Sequence, residues 1–143
     1  MMKEEVLNKN IDGIKADIGN IFYNHEKYFW TPVKSSDVLN PVEVVNNETW
    51  YSEMNIIQFL STVGRHFRMG TMLLKQSVKS RLESDQGLSL TEFTYQTFQA
   101  YDWLHLFNER DCRIQLGGSD QMGNLAAGQE LISRDRDQQV GIY

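Results

Sequence analysis

The sequence predicts an α/β fold that is helix-rich with few strands, and three observations predict it. Apolar residues recur at helical spacing through most of the chain. Cys112 to Leu116 reads as a strand that runs into Gly117 and Gly118 and then into another helical pattern. That order, strand, glycine turn, helix, is the one in which α/β proteins place ligands at the carboxyl end of a strand. Finally, the strands are few for so many helices, which predicts that the rest of a sheet lies outside these 143 residues.

The elements follow in order. Leu7, Ile11, Ile14, Ile18 and Phe22 fall at helical spacing with charged residues between them, which predicts a first helix. Tyr28 to Asn40 mixes Ser, Asp, Asn and Pro32 and reads as a connection. Pro41 to Val45 alternates and is β-branched, predicting a short strand before a turn at Asn46 and Asn47. Ile56, Ile57, Phe59, Leu60 and Val63 predict a helix over 53–63 that stops near Gly64. A further helix is expected over 72–82, ended by the polar turn from Ser84 to Gly87.

The sharpest boundary is Ser89-Leu90-Thr91-Glu92, a capping box in which Ser accepts from an early amide while Glu reaches back. The helix it opens is expected to carry Phe93, Phe98, Tyr101 and Leu104 to about Phe107. After the glycine turn, a helix beginning near Ser119 and Asp120 should place Met122, Leu125 and Leu131 on one side. The last nine residues are polar and then break off where a further strand is expected to begin. Two segments are expected, 1–45 as helix plus connection and 46–143 as the main folded part, joined in one structural unit.

Composition limits the function. At 41% hydrophobic and 23% charged, the chain is an ordinary globular one. A net charge of −5 and a pI near 5.1 leave no basic surface for nucleic acid, since the fourteen Lys and Arg are scattered. Cys112 is the only cysteine, so neither an intrachain disulfide nor a cysteine zinc site can form. No apolar run is long enough to cross a bilayer, and the acidic N-terminus lacks transit-peptide character.

Two clusters can carry chemistry. Tyr95, Gln99 and Asp102 stand at i, i+4 and i+7, so they share one helix face. A phenol, an amide and a carboxylate in a row suit a ligand bearing an ammonium and a hydroxyl; the same spacing also fits a solvated face. Gln115 on the strand, with Asp120 and Gln121 past the glycine turn, forms the second. Asp120 can accept from ribose hydroxyls or merely complement the helix dipole. His25, His66 and His105 are far apart, which predicts core or surface roles and no metal. Leu90, Phe93 and Trp103 fit either a core or a subunit contact.

The string QLGGSDQMGN, Gln115 to Asn124, resembles the QxGGSDQxGN signature of tyrosyl-tRNA synthetases, class I enzymes. SLTEFTYQTFQAYD, Ser89 to Asp102, resembles a segment of the same family, as do NNETW from Asn46 and GRHF from Gly64. The resemblance spans about residues 46 to 134 and implies part of a Rossmann-like class I synthetase catalytic domain. By it, Tyr95 and Gln99 hold the α-amino group of tyrosine, and Asp102 takes the phenolic hydroxyl. Gln121 faces the substrate carboxylate and Gln115 lines the pocket, while Gly118 and Asp120 meet the adenylate ribose. A site built around a hydroxyl rejects the analogue lacking it, a rule for which this enzyme family is itself the standard example.

The family uses ATP, Mg-bound, as a substrate, together with L-tyrosine and tRNA(Tyr), and is homodimeric. Met122, where bacterial members commonly carry tryptophan, and FRMGTM, Phe67 to Met72, lean towards the mitochondrial branch; a cytoplasmic setting is the alternative. HIGH-type and KMSKS-type motifs do not occur in these 143 residues. The chain is therefore expected to supply one wall of the site, to hold no catalytic residue, and to be inactive alone. The competing expectation is a non-catalytic dimerisation or interaction scaffold derived from the same domain.

Overall fold

The computed structural model describes residues 3–33, 36–136 and 141–142. The chain divides into two compact units, 1–46 and 47–143.

The first unit is built on α1, Glu4–Asn24, continued by a π-helical turn over His25–Phe29. Glu4 and Glu5 sit in its first turn, where carboxylates complement the helix dipole. None of its residues is buried, and the apolar stripe read from the sequence includes Leu7, Ile14 and Phe22, all exposed. The predicted strand at Pro41 to Val45 is not formed: the structure assigns no strand to residues 41–46. Alternation and β-branching favour extended backbone, but a strand exists only where a neighbour supplies the ladder, and that neighbour is not encoded locally.

The second unit opens with a short helix, α2, Glu48–Tyr51, which the sequence did not predict. The helix expected over 53–63 is α3, Ile56–Thr62, starting later because Asn55 caps it, accepting from the Gln58 amide at 2.9 Å. The single helix expected over 72–82 is two, α4, Met69–Leu73, and α5, Gln76–Leu82. Lys75 breaks it with extended backbone, and its Nζ donates to the Gly123 carbonyl at 2.9 Å. The break has a packing reason. Met72 and Val78 both pack on Phe93, whereas six residues along an unbroken helix they would be rotated about 120° apart.

α6, Leu90–Arg110, has the predicted capping box, with Ser89 Oγ accepting from the Glu92 amide at 3.2 Å and Glu92 accepting from the Ser89 amide at 3.0 Å. Arg81 adds an ion pair to Glu92. The helix runs three residues past Phe107 and ends at Asp111, which adopts the left-handed conformation with φ 52°. The strand expected over 112–116 is reduced to β1, Ile114–Gln115.

A 3-10 turn over Ser119–Gln121 leads into α7, Met122–Arg136, and then β2, Gly141–Ile142, where the sequence anticipated a strand. β1 and β2 pair in parallel, Ile114 opposite Gly141 and Gln115 opposite Ile142. Parallel strands joined through a helix form the βαβ repeat of α/β proteins, which agrees with the predicted class. The residues between α7 and β2 lie outside the described residues.

The core lies between α6 and α7. Ala100, Trp103, Leu104 and Phe107 pack against Ala127, Leu131 and Ile132, with Phe59 of α3 and Val63, which caps it. Gly128 permits the approach, because a Cβ there would stand 2.8 Å from Trp103 Cε3. Of the three residues expected on one side of this helix, Leu125 and Leu131 are buried and Met122 is exposed. Trp103 is 1% exposed and Phe93 is also buried, so both are core; Leu90, 77% exposed, is not. Among the described residues no helix is long and apolar enough to cross a membrane.

Candidate functional site

Asp102 sits two-thirds of the way along α6, where the helix backbone fixes its Cα and two residues from another element fix its carboxylate. Trp50 Nε1 donates to Oδ1 at 3.0 Å and Asn47 Nδ2 donates to Oδ2 at 3.2 Å. Hydrogen bonds to an ionised acceptor are stronger than neutral ones, so each oxygen is held while keeping lone pairs for a further donor. The negative charge reaches its neighbours. Tyr51 is pushed well above the usual phenol range by burial first and by Asp102 second, and its hydroxyl donates to the Phe98 carbonyl at 2.9 Å. Tyr101 is raised too, by burial and then by the same carboxylate.

One turn back, Gln99 Oε1 accepts from Asn124 Nδ2 at 2.9 Å. The same Asn124 amide donates to Gln121 Oε1 at 3.1 Å, and Gln121 Nε2 donates to Asp120 Oδ2 at 2.8 Å. A continuous chain of polar side chains thus links the α6 stripe to the residues past the glycine turn. Gly118 leaves room here: a Cβ would lie 2.6 Å from Asp120 Oδ1, so a side chain at this position would turn that carboxylate away from its place over the turn. Tyr95 is 59% exposed and lies with Asn124 and Gly123 along one cleft, which also passes Lys75 and Arg81. Burial holds the Lys75 ammonium below its ordinary value, opposed in part by Glu130.

Gln115 stands apart from this chain. Its Oε1 is buried and has no donor among the described residues. Leaving a buried acceptor unpaired costs roughly 1–3 kcal/mol, which a bound donor such as an ammonium would recover.

Of the seven residues picked from the sequence, Gln99, Asp120 and Gln121 are joined through hydrogen bonds, and Gly118 shapes the turn that carries Asp120. Tyr95 shares the α6 face, Asp102 has its own clamp, and Gln115 is an orphan acceptor. Sequence reasoning missed Asn124, Asn47 and Trp50. Asn124 was legible as the i+3 partner of Gln121. Asn47 and Trp50 lie 55 and 52 residues from Asp102, and no local pattern connects them. The histidines play separate parts: His25 tilts against Trp30, the His66 carbonyl accepts from Arg134, and His105 stacks on Trp50.

Residues 2–143 match the family described as tRNA synthetases class I (W and Y). The mitochondrial tyrosine–tRNA ligase of Drosophila melanogaster is 52% identical over 131 residues, covering 92% of this chain and 28% of that protein. The mitochondrial enzyme of Homo sapiens is 41% identical, covering 93% of this chain and 27% of its own length. Among solved structures, a C-terminally truncated mitochondrial tyrosyl-tRNA synthetase of Aspergillus nidulans aligns with a TM-score of 0.58 at 40% identity, covering 62% of this chain and 24% of that one. The chain therefore spans about a quarter of the length of the relatives it matches. It belongs to the class I tRNA synthetases of the tryptophan and tyrosine family.

Proposed function

We propose that this chain forms one wall of the tyrosine and adenylate pocket of a mitochondrial tyrosine–tRNA ligase. In that reaction a carboxylate oxygen of tyrosine bonds to the α-phosphorus of Mg-bound ATP, pyrophosphate leaves, and the tyrosyl group then passes from the adenylate to a hydroxyl of tRNA(Tyr) with release of AMP. Asp102 receives the phenolic O–H of the substrate, and Tyr95 and Gln99 hold its ammonium. Gln115 lines the pocket, Gln121 faces the carboxylate, and Gly118 with Asp120 meets the ribose. The setting is a Rossmann-like sheet, of which β1, α7 and β2 are one repeat, in an enzyme working as a homodimer in the mitochondrial matrix.

The observation that carries the reading is the clamp on Asp102, one donor on each oxygen. It orients a carboxylate towards a ligand hydroxyl instead of towards a neighbouring cation, and so favours tyrosine over tryptophan within the family. The acceptor of Gln115 supports it, since a substrate ammonium supplies a donor that the described residues do not. Transition-state stabilisation on the phosphates is drawn from elsewhere in the protein, because HIGH-type and KMSKS-type motifs do not occur in these residues.

A non-hydrolysable tyrosyl-adenylate analogue added to the labelled chain tests the assignment. The side-chain amide resonances of Gln99, Gln115 and Gln121 are expected to shift together. Saturating analogue that leaves all three unmoved contradicts it.

A further inference from the structure

We propose that His105 is a positioning residue for Asp102, acting through the ring of Trp50; the inference rests on the tyrosine-pocket reading above. The imidazole of His105 lies on the Trp50 indole with ring centroids 4.3 Å apart and planes inclined by 24°, a stacked pair. The edge of the same indole donates from Nε1 to Asp102 Oδ1 at 3.0 Å. His105 follows Asp102 by three residues on α6, so platform and carboxylate share one helix face one turn apart. The indole spans them, resting on one and donating to the other.

The platform matters because Trp50 stands on a short helix. Its own helix, α2, has four residues, too few to be stable by itself. The two backbone bonds that open that helix are long, 3.3 Å from the Trp50 amide and 3.4 Å from the Tyr51 amide to the Asn47 carbonyl, while the Ser52 amide closes it on the Glu48 carbonyl at 2.9 Å. Tyr51 pins the backbone to Phe98 through its hydroxyl, but that bond leaves the rotation of the Trp50 side chain open. Tyr51 meets the Trp50 ring only at a tilt, 6.3 Å away. The stacked face of His105 selects the rotamer that points Nε1 at Asp102. It touches no substrate, so its effect is on the fidelity of the hydroxyl contact and not on the ammonium or ribose ends of the pocket.

The test compares the wild-type chain with His105→Ala, His105→Leu, which fills the space without stacking, and His105→Phe, which restores a ring. The first readout is the indole N–H resonance of Trp50, assigned by its loss in Trp50→Phe; the buried Trp103 resonance reports whether each variant is folded. The second is calorimetric affinity for L-tyrosine and L-phenylalanine. In His105→Ala and His105→Leu the Trp50 N–H moves towards the free-indole position and exchanges about fivefold faster, the weight of one stacked pair. Tyrosine affinity falls by a similar factor, phenylalanine affinity is unchanged, and His105→Phe returns both readouts to wild type.

A Trp50 resonance unmoved in folded His105→Ala or His105→Leu overturns the proposal, as does equal weakening for both amino acids. A wild-type chain that binds no tyrosine overturns the pocket reading instead, and the indole resonance then decides the positioning by itself.

Discussion

Trp50 donates to Asp102 across 52 residues of sequence, through a 3.0 Å bond that ties a four-residue helix to a 21-residue one. A hydrogen bond to a charged acceptor contributes about 1.5–3 kcal/mol. Trp50→Phe keeps the ring and deletes the donor, so it is expected to weaken tyrosine binding about tenfold or more. Calorimetry on the folded variant measures this; affinity equal to wild type contradicts the clamp.

Asn124 is the link between the two halves of the site, giving its amide protons to Gln99 and Gln121. Asn124→Ala removes both bonds while leaving the packing of α6 on α7 intact. Tyrosine affinity is expected to fall about tenfold with little change in thermal midpoint. A large loss of stability with unchanged affinity would place Asn124 in the fold and not in the site.

Gly128 sets how closely α7 approaches Trp103. A methyl group there meets the indole at 2.8 Å, inside any ordinary contact distance. Gly128→Ala is therefore expected to destabilise the second unit by about 2 kcal/mol through overpacking, despite the helix propensity gained. Urea denaturation followed by Trp103 fluorescence gives the value, and an unchanged or raised midpoint contradicts this packing.

The capping box makes a pH-dependent contribution. The Ser89 amide, and then Arg81, hold the Glu92 carboxyl below its ordinary value of 4.5. A depressed folded value means that the stabilisation is complete above the unfolded pKa and disappears as pH falls through the folded one. Acid melting curves should show a loss below about pH 4.5 that Glu92→Gln lacks. Ser89→Ala should lower the thermal midpoint by about 4 °C near neutrality. A Glu92→Gln variant with the same acid dependence as wild type would assign that dependence to other carboxylates.

What the sequence disclosed follows from how far each determinant reaches. Ser89 and Glu92 are three residues apart and state their own geometry, so the start of α6 was legible to the residue. The stripe Tyr95, Gln99, Asp102 needed only helical periodicity. The break at Lys75 was not legible, because it answers to Phe93, on which both Met72 and Val78 pack, and to Gly123 on another element. Pro41 to Val45 has strand chemistry without a strand, since pairing is a property of two segments. Asn47 and Trp50 are polar and aromatic residues in a short loop-like stretch, and only the folded chain brings them to Asp102.

Calorimetric titration of L-tyrosine into the chain and its Asp102→Ala variant decides whether Asp102 reads the hydroxyl of tyrosine. Saturable binding by wild type and none by the variant is the expected result, with both showing the same circular dichroism. Equal binding by the two folded proteins would contradict it.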